Sequence, residues 1–144
     1  MPRLLRFLVF ITILASSGST FAQCDQTLFE QSKIELGKHT YLQHFRIKSS
    51  KHNPNATSAQ FAVQLTKGTT YLISAVNDAS LPGKAIIKLY DDFKYFTGNV
   101  TSDQRILKGF SFTCNKTGNY YITVKFDNNG PGCAIIFLSM VNKE

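Results

Sequence analysis

The stretch GFSFTCNKTGNYYITVKFDNNGPGCAIIFLSMV, residues 109–141, decides the fold. Apolar residues alternate through Phe110 and Phe112 and again through Tyr120, Ile122, Val124 and Phe126. The runs are broken by Asn-Lys-Thr-Gly and then by Asp-Asn-Asn-Gly-Pro-Gly. Period-two alternation between turn-rich breaks is the signature of antiparallel strands, and the run from Cys133 to Val141 reads as a closing strand.

The same cadence extends upstream. Tyr41, Phe45 and Ile47 alternate with His44, Arg46 and Lys48, which puts the histidine on a solvent-facing register. Phe61, Val63 and Leu65 form the next alternating run, and Lys67-Gly68 turns the chain into Thr69–Val76. That segment is almost continuously apolar or β-branched, as suits a strand buried on both faces. Ala85–Tyr90 is a further strand ending at Asp91-Asp92, Phe93–Phe96 adds an edge, and Ile106–Cys114 precedes the closing stretch. Many short strands with no long helix predict an all-β fold, an antiparallel β-sandwich or jelly roll forming a single domain over 41–144. The segment 23–40 reads either as a short helix, capped by Asp25, carrying Leu28, Phe29, Ile34 and Leu36 and stopped by Gly37, or as a loop.

Residues 1–22 have the form of a secretory signal peptide. Arg3 and Arg6 precede a short apolar run, Phe7–Ala15, and Thr20-Phe21-Ala22 offers a small-x-small cleavage site. The apolar run is well short of the ~20 residues that span a bilayer. Gln23 before Cys24 argues against lipidation of that cysteine, since the lipoprotein motif wants a small residue there. The expectation is an exported protein, periplasmic, cell-surface or extracellular after cleavage near Ala22, with no membrane span. Its formal charge of +7 falls to +5 when Arg3 and Arg6 leave. The lysines are scattered singly, so no basic stripe for nucleic acid forms.

One family shares this order of motifs. The hairpin around Lys67-Gly68, the strand end Leu89-Tyr90-Asp91, and Gly118-Asn119-Tyr120-Tyr121-Ile122-Thr123-Val124 before a final strand are carried by Ser58–Val141. This stretch resembles the bacterial pre-peptidase C-terminal domain. The resemblance implies a small jelly-roll-like β-sandwich of the kind appended to secreted proteases and other exported enzymes. Such domains bind matrix or carbohydrate, or aid secretion and solubility. No enzyme precedes the segment here, so the expected form is free-standing.

No constellation for catalysis stands out. His39, His44 and His52 precede most of the strands without metal-ligand spacing, and there is no Gly-x-Ser-x-Gly elbow. The one adjacent carboxylate pair, Asp91-Asp92, would point to opposite faces of a strand. No cofactor is implied. Asp91, Asp92 and Asp127 could offer oxygen ligands to calcium, though Asp, Asn and Gly are also what tight turns require. Three cysteines, Cys24, Cys114 and Cys133, leave one thiol over in an oxidising compartment. In a meander Cys114 would end one strand and Cys133 begin the strand two later, at opposite ends, unless the chain changes sheets between them, so a bridge involving Cys24 is favoured. Asn-x-Thr sequons at Asn55, Asn99 and Asn115 fall in expected loops or turns and read as incidental turn residues.

What remains is an outward register. Tyr121, Thr123 and Lys125 alternate away from the core, and Lys88 and Tyr90 share another alternating face. An exposed Tyr–Lys sheet face can stack sugars or contact an extended partner. The sequence therefore predicts a secreted, non-catalytic module binding a carbohydrate, a cell-envelope component or a protein partner. The alternative is an exported structural or accessory subunit with no small ligand.

Overall fold

A computed structural model describes residues 26–49 and 58–142. The leader assigned to 1–22, Cys24, Asp25, His52 and the Asn55 sequon lie outside the described residues. Among the described residues one α-helix, α1 (Gln26–Glu35), precedes eight strands: β1 (Thr40–Ser49), β2 (Ala59–Leu65), β3 (Thr70–Asn77), β4 (Ala85–Asp91), β5 (Lys94–Gly98), β6 (Gly109–Thr113), β7 (Gly118–Phe126) and β8 (Gly132–Met140). They form two four-stranded sheets, β1-β8-β3-β6 (sheet A) and β2-β7-β4-β5 (sheet B), with every strand pair antiparallel. Chain order alternates between sheets at every step but β4–β5, which gives the eight-stranded jelly-roll connectivity of a β-sandwich.

The core between the sheets follows from period-two alternation. Val63 and Leu65 on β2, Ile73 and Ala75 on β3, Ile87 and Leu89 on β4, and Ile122 and Val124 on β7 all point inward and are buried. Phe45 of β1 stacks on Phe61 of β2, centroids 4.3 Å apart, and closes one edge of the sandwich. Gly68, at φ +84°, turns β2 into β3 in the left-handed region that glycine enters without cost.

Burial on both faces belongs to β8 rather than to β3, whose outward residues Leu72, Ser74 and Val76 are only half-buried. Ala134, Ile136 and Leu138 of β8 face the core. Its Cys133, Ile135 and Phe137 face the other way, under Leu28 of α1 and Leu36 just after it. Full burial of a side chain such as Phe137 contributes about 1.5–3 kcal/mol. The helix is held by a stripe at four-residue spacing, Leu28, Ser32 and Leu36, in which buried Ser32 donates its hydroxyl to the Leu28 carbonyl. Gly37, at φ +57°, terminates it, and of the two readings of 23–40 the short helix is the one found.

Two expectations for β1 are overturned. The register slips between Tyr41 and Gln43, and this bulge at Leu42 moves Tyr41 off the face of Phe45 and Ile47 and onto that of His44. That outer face is half-covered, not freely solvated, at His44. The imidazole lies 4.4 Å from the Phe29 ring of α1 and 6.2 Å from Phe137, and its Nδ1 is 2.7 Å from the Tyr41 hydroxyl. Burial, then the charges of Arg46 and Lys33, hold its pKa below the ordinary value. The strand expected over Ile106–Cys114 begins only at Gly109; Ile106 makes an isolated bridge to Val100.

Candidate functional site

The five residues expected to meet a partner converge on the outer face of sheet B. β4 and β7 are paired centrally in this sheet, with Tyr90 opposite Tyr121, Lys88 opposite Thr123, and Ile86 opposite Lys125. β2 continues the rows with Ala62 opposite Tyr121 and Gln60 opposite Thr123, and β5 places Tyr95 opposite Tyr90. The face thus carries an aromatic row, Tyr121-Tyr90-Tyr95, above a polar row, Gln60-Thr123-Lys88. Tyr121, Thr123 and Tyr90 are half-buried, and Lys88 and Lys125 are exposed.

Sequence reasoning missed the residue that dominates this face. Asp91 pairs with Lys94, so Asp92 and Phe93 form a two-residue hairpin turn between β4 and β5, both with left-handed backbones at φ +44° and +66°. Such turns ordinarily use Asn-Gly, and a bulky residue there is strained. Phe93 is 82% exposed and folds back over Tyr121, with ring centroids 5.5 Å apart and planes 15° from parallel. Tyr95 meets Tyr90 edge-on at 5.9 Å. The absence of glycine from the Asp-Asp-Phe-Lys turn is the sequence signal that could have pointed to Phe93.

The turn is anchored from outside by Lys116, whose ammonium lies 3.0 Å from the Asp92 carboxylate. That hydrogen bond and charge hold the Lys116 pKa above its ordinary value. Beneath it, Tyr120 donates its hydroxyl to the Lys116 carbonyl at 2.8 Å. Burial foremost, then the Cys114 thiol, pushes the Tyr120 pKa up to about 12.

The three carboxylates considered for calcium do not come together. Asp91 and Asp92 lie at the Tyr120 end of β4. Asp127 follows Phe126, which pairs with Ala85 at the other end, roughly 20 Å away along the strand. Asp127 accepts a hydrogen bond from the Lys84 amide at 2.6 Å. Among the described residues no three His, Cys, Asp or Glu side chains are grouped to hold a metal ion.

Cys114 is a buried free thiol that donates to the Lys116 carbonyl, whereas fully buried Cys133 is not a free thiol. The chain does change sheets between them, yet the two remain apart. β6 and β8 both run antiparallel to β3, which puts Cys114 beside Thr69 and Cys133 beside Asp78, at opposite ends of that strand. Asn99 lies in the expected connection but is fully buried; Asn115 is exposed. No helix among the described residues is long and apolar enough to cross a membrane.

No family model matches this chain, and no curated protein matches it.

Proposed function

We propose that this is an exported, non-catalytic binding module of the pre-peptidase C-terminal type, which engages a polysaccharide, a cell-envelope component or a protein partner through the outer face of sheet B. The observation that carries the reading is the Phe93–Tyr121 stack beside Tyr90 and Tyr95, set next to Lys88 and Lys125. Aromatic side chains held at a surface lose little entropy on binding and present both an apolar ring and a polar tip. A strained turn that exposes Phe93 is costly to fold and is understandable if the ring is used. Export is supported by the leader-like residues 1–22, and an oxidising destination suits a bridge between Cys24 and Cys133, since Cys114 is free.

Tyr121→Ala tests the reading. On a glycan and matrix-protein panel the variant is expected to lose most of its retention while its melting temperature stays within a few degrees of the wild type. Undiminished retention would remove this face from the function. The second reading, an accessory subunit with no small ligand, draws on the same exposed Phe93 and Tyr95. It would be favoured by a silent panel together with a single protein captured from the native host.

A further inference from the structure

Three depressions on the outer face of sheet B adjoin one another. The first, about 150 Å³, is lined by Gln60, Tyr90, Phe93, Tyr121 and Thr123. The second, about 90 Å³, shares Tyr90 and Thr123 with it and adds Lys88 and Lys125. The third, about 360 Å³, shares Ile86 and Lys125 with the second and is lined by Gln104, Asp127, Asn128 and Asn129, the Asp127 carboxylate accepting a hydrogen bond from the Lys84 amide. Together they form one trough running along β4 and β7. From Tyr121 to Asp127 it extends roughly 20 Å at ~3.3 Å per residue.

The ends of the trough coincide with left-handed backbone. Among the described residues five non-glycine residues have positive φ: Asp92, Phe93, Gln104, Asn128 and Asn129. The first two form the turn at the aromatic end, and the other three line the opposite end. Aspartate and asparagine accept such backbone, so the strain falls on Phe93 and Gln104, one at each end; strain of this kind persists where the surrounding structure enforces it, and it clusters at ligand-binding sites.

We infer that this trough binds an extended strand of acidic polysaccharide, with Phe93 and the tyrosines stacking on sugar rings at one end, Lys88 and Lys125 meeting carboxylates or sulfates in the middle, and Gln104, Asn128 and Asn129 hydrogen-bonding hydroxyls at the other. The inference rests on the binding reading above and narrows its ligand. Charge decides for an acidic strand. Lys116 and Arg105 nearby are paired with Asp92 and Asp103, whereas no carboxylate pairs with Lys88 or Lys125 among the described residues. Geometry decides against a polypeptide. An extended peptide binds sheets by adding to a free edge, where main-chain groups are unpaired. The trough lies instead on the face of β4 and β7, whose backbones are paired on both sides, so only side chains are offered. Amide side chains, which both donate and accept, suit vicinal hydroxyls.

The test is affinity electrophoresis of the mature chain through gels containing polygalacturonate, neutral arabinoxylan or poly-glutamate, with salt varied. Polygalacturonate is expected to retard the protein, less so as salt rises. The double variant Lys88→Gln/Lys125→Gln and the single variant Phe93→Asn should each weaken retention tenfold or more. Asparagine accepts the left-handed backbone, so Phe93→Asn removes the ring while its melting temperature holds or rises. Arg46→Gln/Lys48→Gln, which removes the same charge from sheet A, should leave retention unchanged. Equal loss in that control would overturn the trough as the site, and equal retardation by poly-glutamate would overturn the polysaccharide. Tyr121-dependent retardation by arabinoxylan alone would overturn the acidic ligand and leave the binding face standing. Retardation by no matrix would overturn the inference, and the panel with Tyr121→Ala then decides the broader reading separately.

Discussion

Asn99 has no solvent exposure, yet its side chain makes three hydrogen bonds to backbone. Its Oδ1 accepts from the Ile87 amide at 2.7 Å, and its Nδ2 donates to the carbonyls of Ala85 and Leu107 at 2.9 and 3.0 Å. The amide thus takes the place of a strand beside β4 where β5 has ended. Asn99→Ala leaves buried backbone groups without partners and should cost about 3 kcal/mol, read as a lowered denaturant midpoint. Peptide mapping of the folded protein should find no glycan on Asn99, whose nitrogen is committed inside. The sequon motif gave no hint of this, because a buried asparagine and a turn asparagine look alike in sequence. Phe93 was hidden for a similar reason: left-handed backbone is set by the hairpin register, not by the residue placed there.

At the scale of elements, β8 and α1 depend on each other. The unbroken apolar run from Cys133 to Leu138 is legible as a strand, but what covers its second face is not. α1 and the residue after it present only a narrow stripe of Leu28, Ser32 and Leu36, and a serine in mid-stripe weakens the periodic signal. The bulge at Leu42 is equally silent in sequence, since alternation is broken by one residue whose neighbours still read as a strand. The result is His44 lodged between Phe29 and Phe137, with Arg46 and Lys33 as the cations acting on it. Because the folded state lowers its pKa, unfolding takes up a proton. The stabilisation is therefore present above about pH 6.5 and is lost as pH falls below it. Amide exchange in α1 should accelerate between pH 7 and pH 5 relative to β7, and His44→Gln should flatten that dependence.

For the whole molecule, alternation and turn spacing were enough to read an all-β sandwich, and outward registers on β4 and β7 were enough to gather five residues on one face. The polar end of that face was not legible, because Gln104 and the Asn128-Asn129 pair come from separate loops that meet only when β4 and β7 pair. One covalent tie would span nearly the entire fold. A Cys24–Cys133 bridge closes a loop of about 110 residues, for which chain-entropy reasoning gives about 4–5 kcal/mol. Non-reducing peptide mapping is expected to recover the two cysteines in one linked fragment, and reductant should lower the melting temperature. A linked Cys114 would contradict this.

The jelly-roll order also bears on when the protein can fold. β8, the last of the described strands, lies between β1 and β3, and among them it is the one with which β1 pairs. Sheet A has no middle until β8 arrives, and the contacts it closes are among the longest-range in the fold. A chain delivered N-terminus first would hold two of its earliest strands apart until the final segment emerged. The keystone comes last, so vectorial delivery across a membrane would precede folding rather than compete with it.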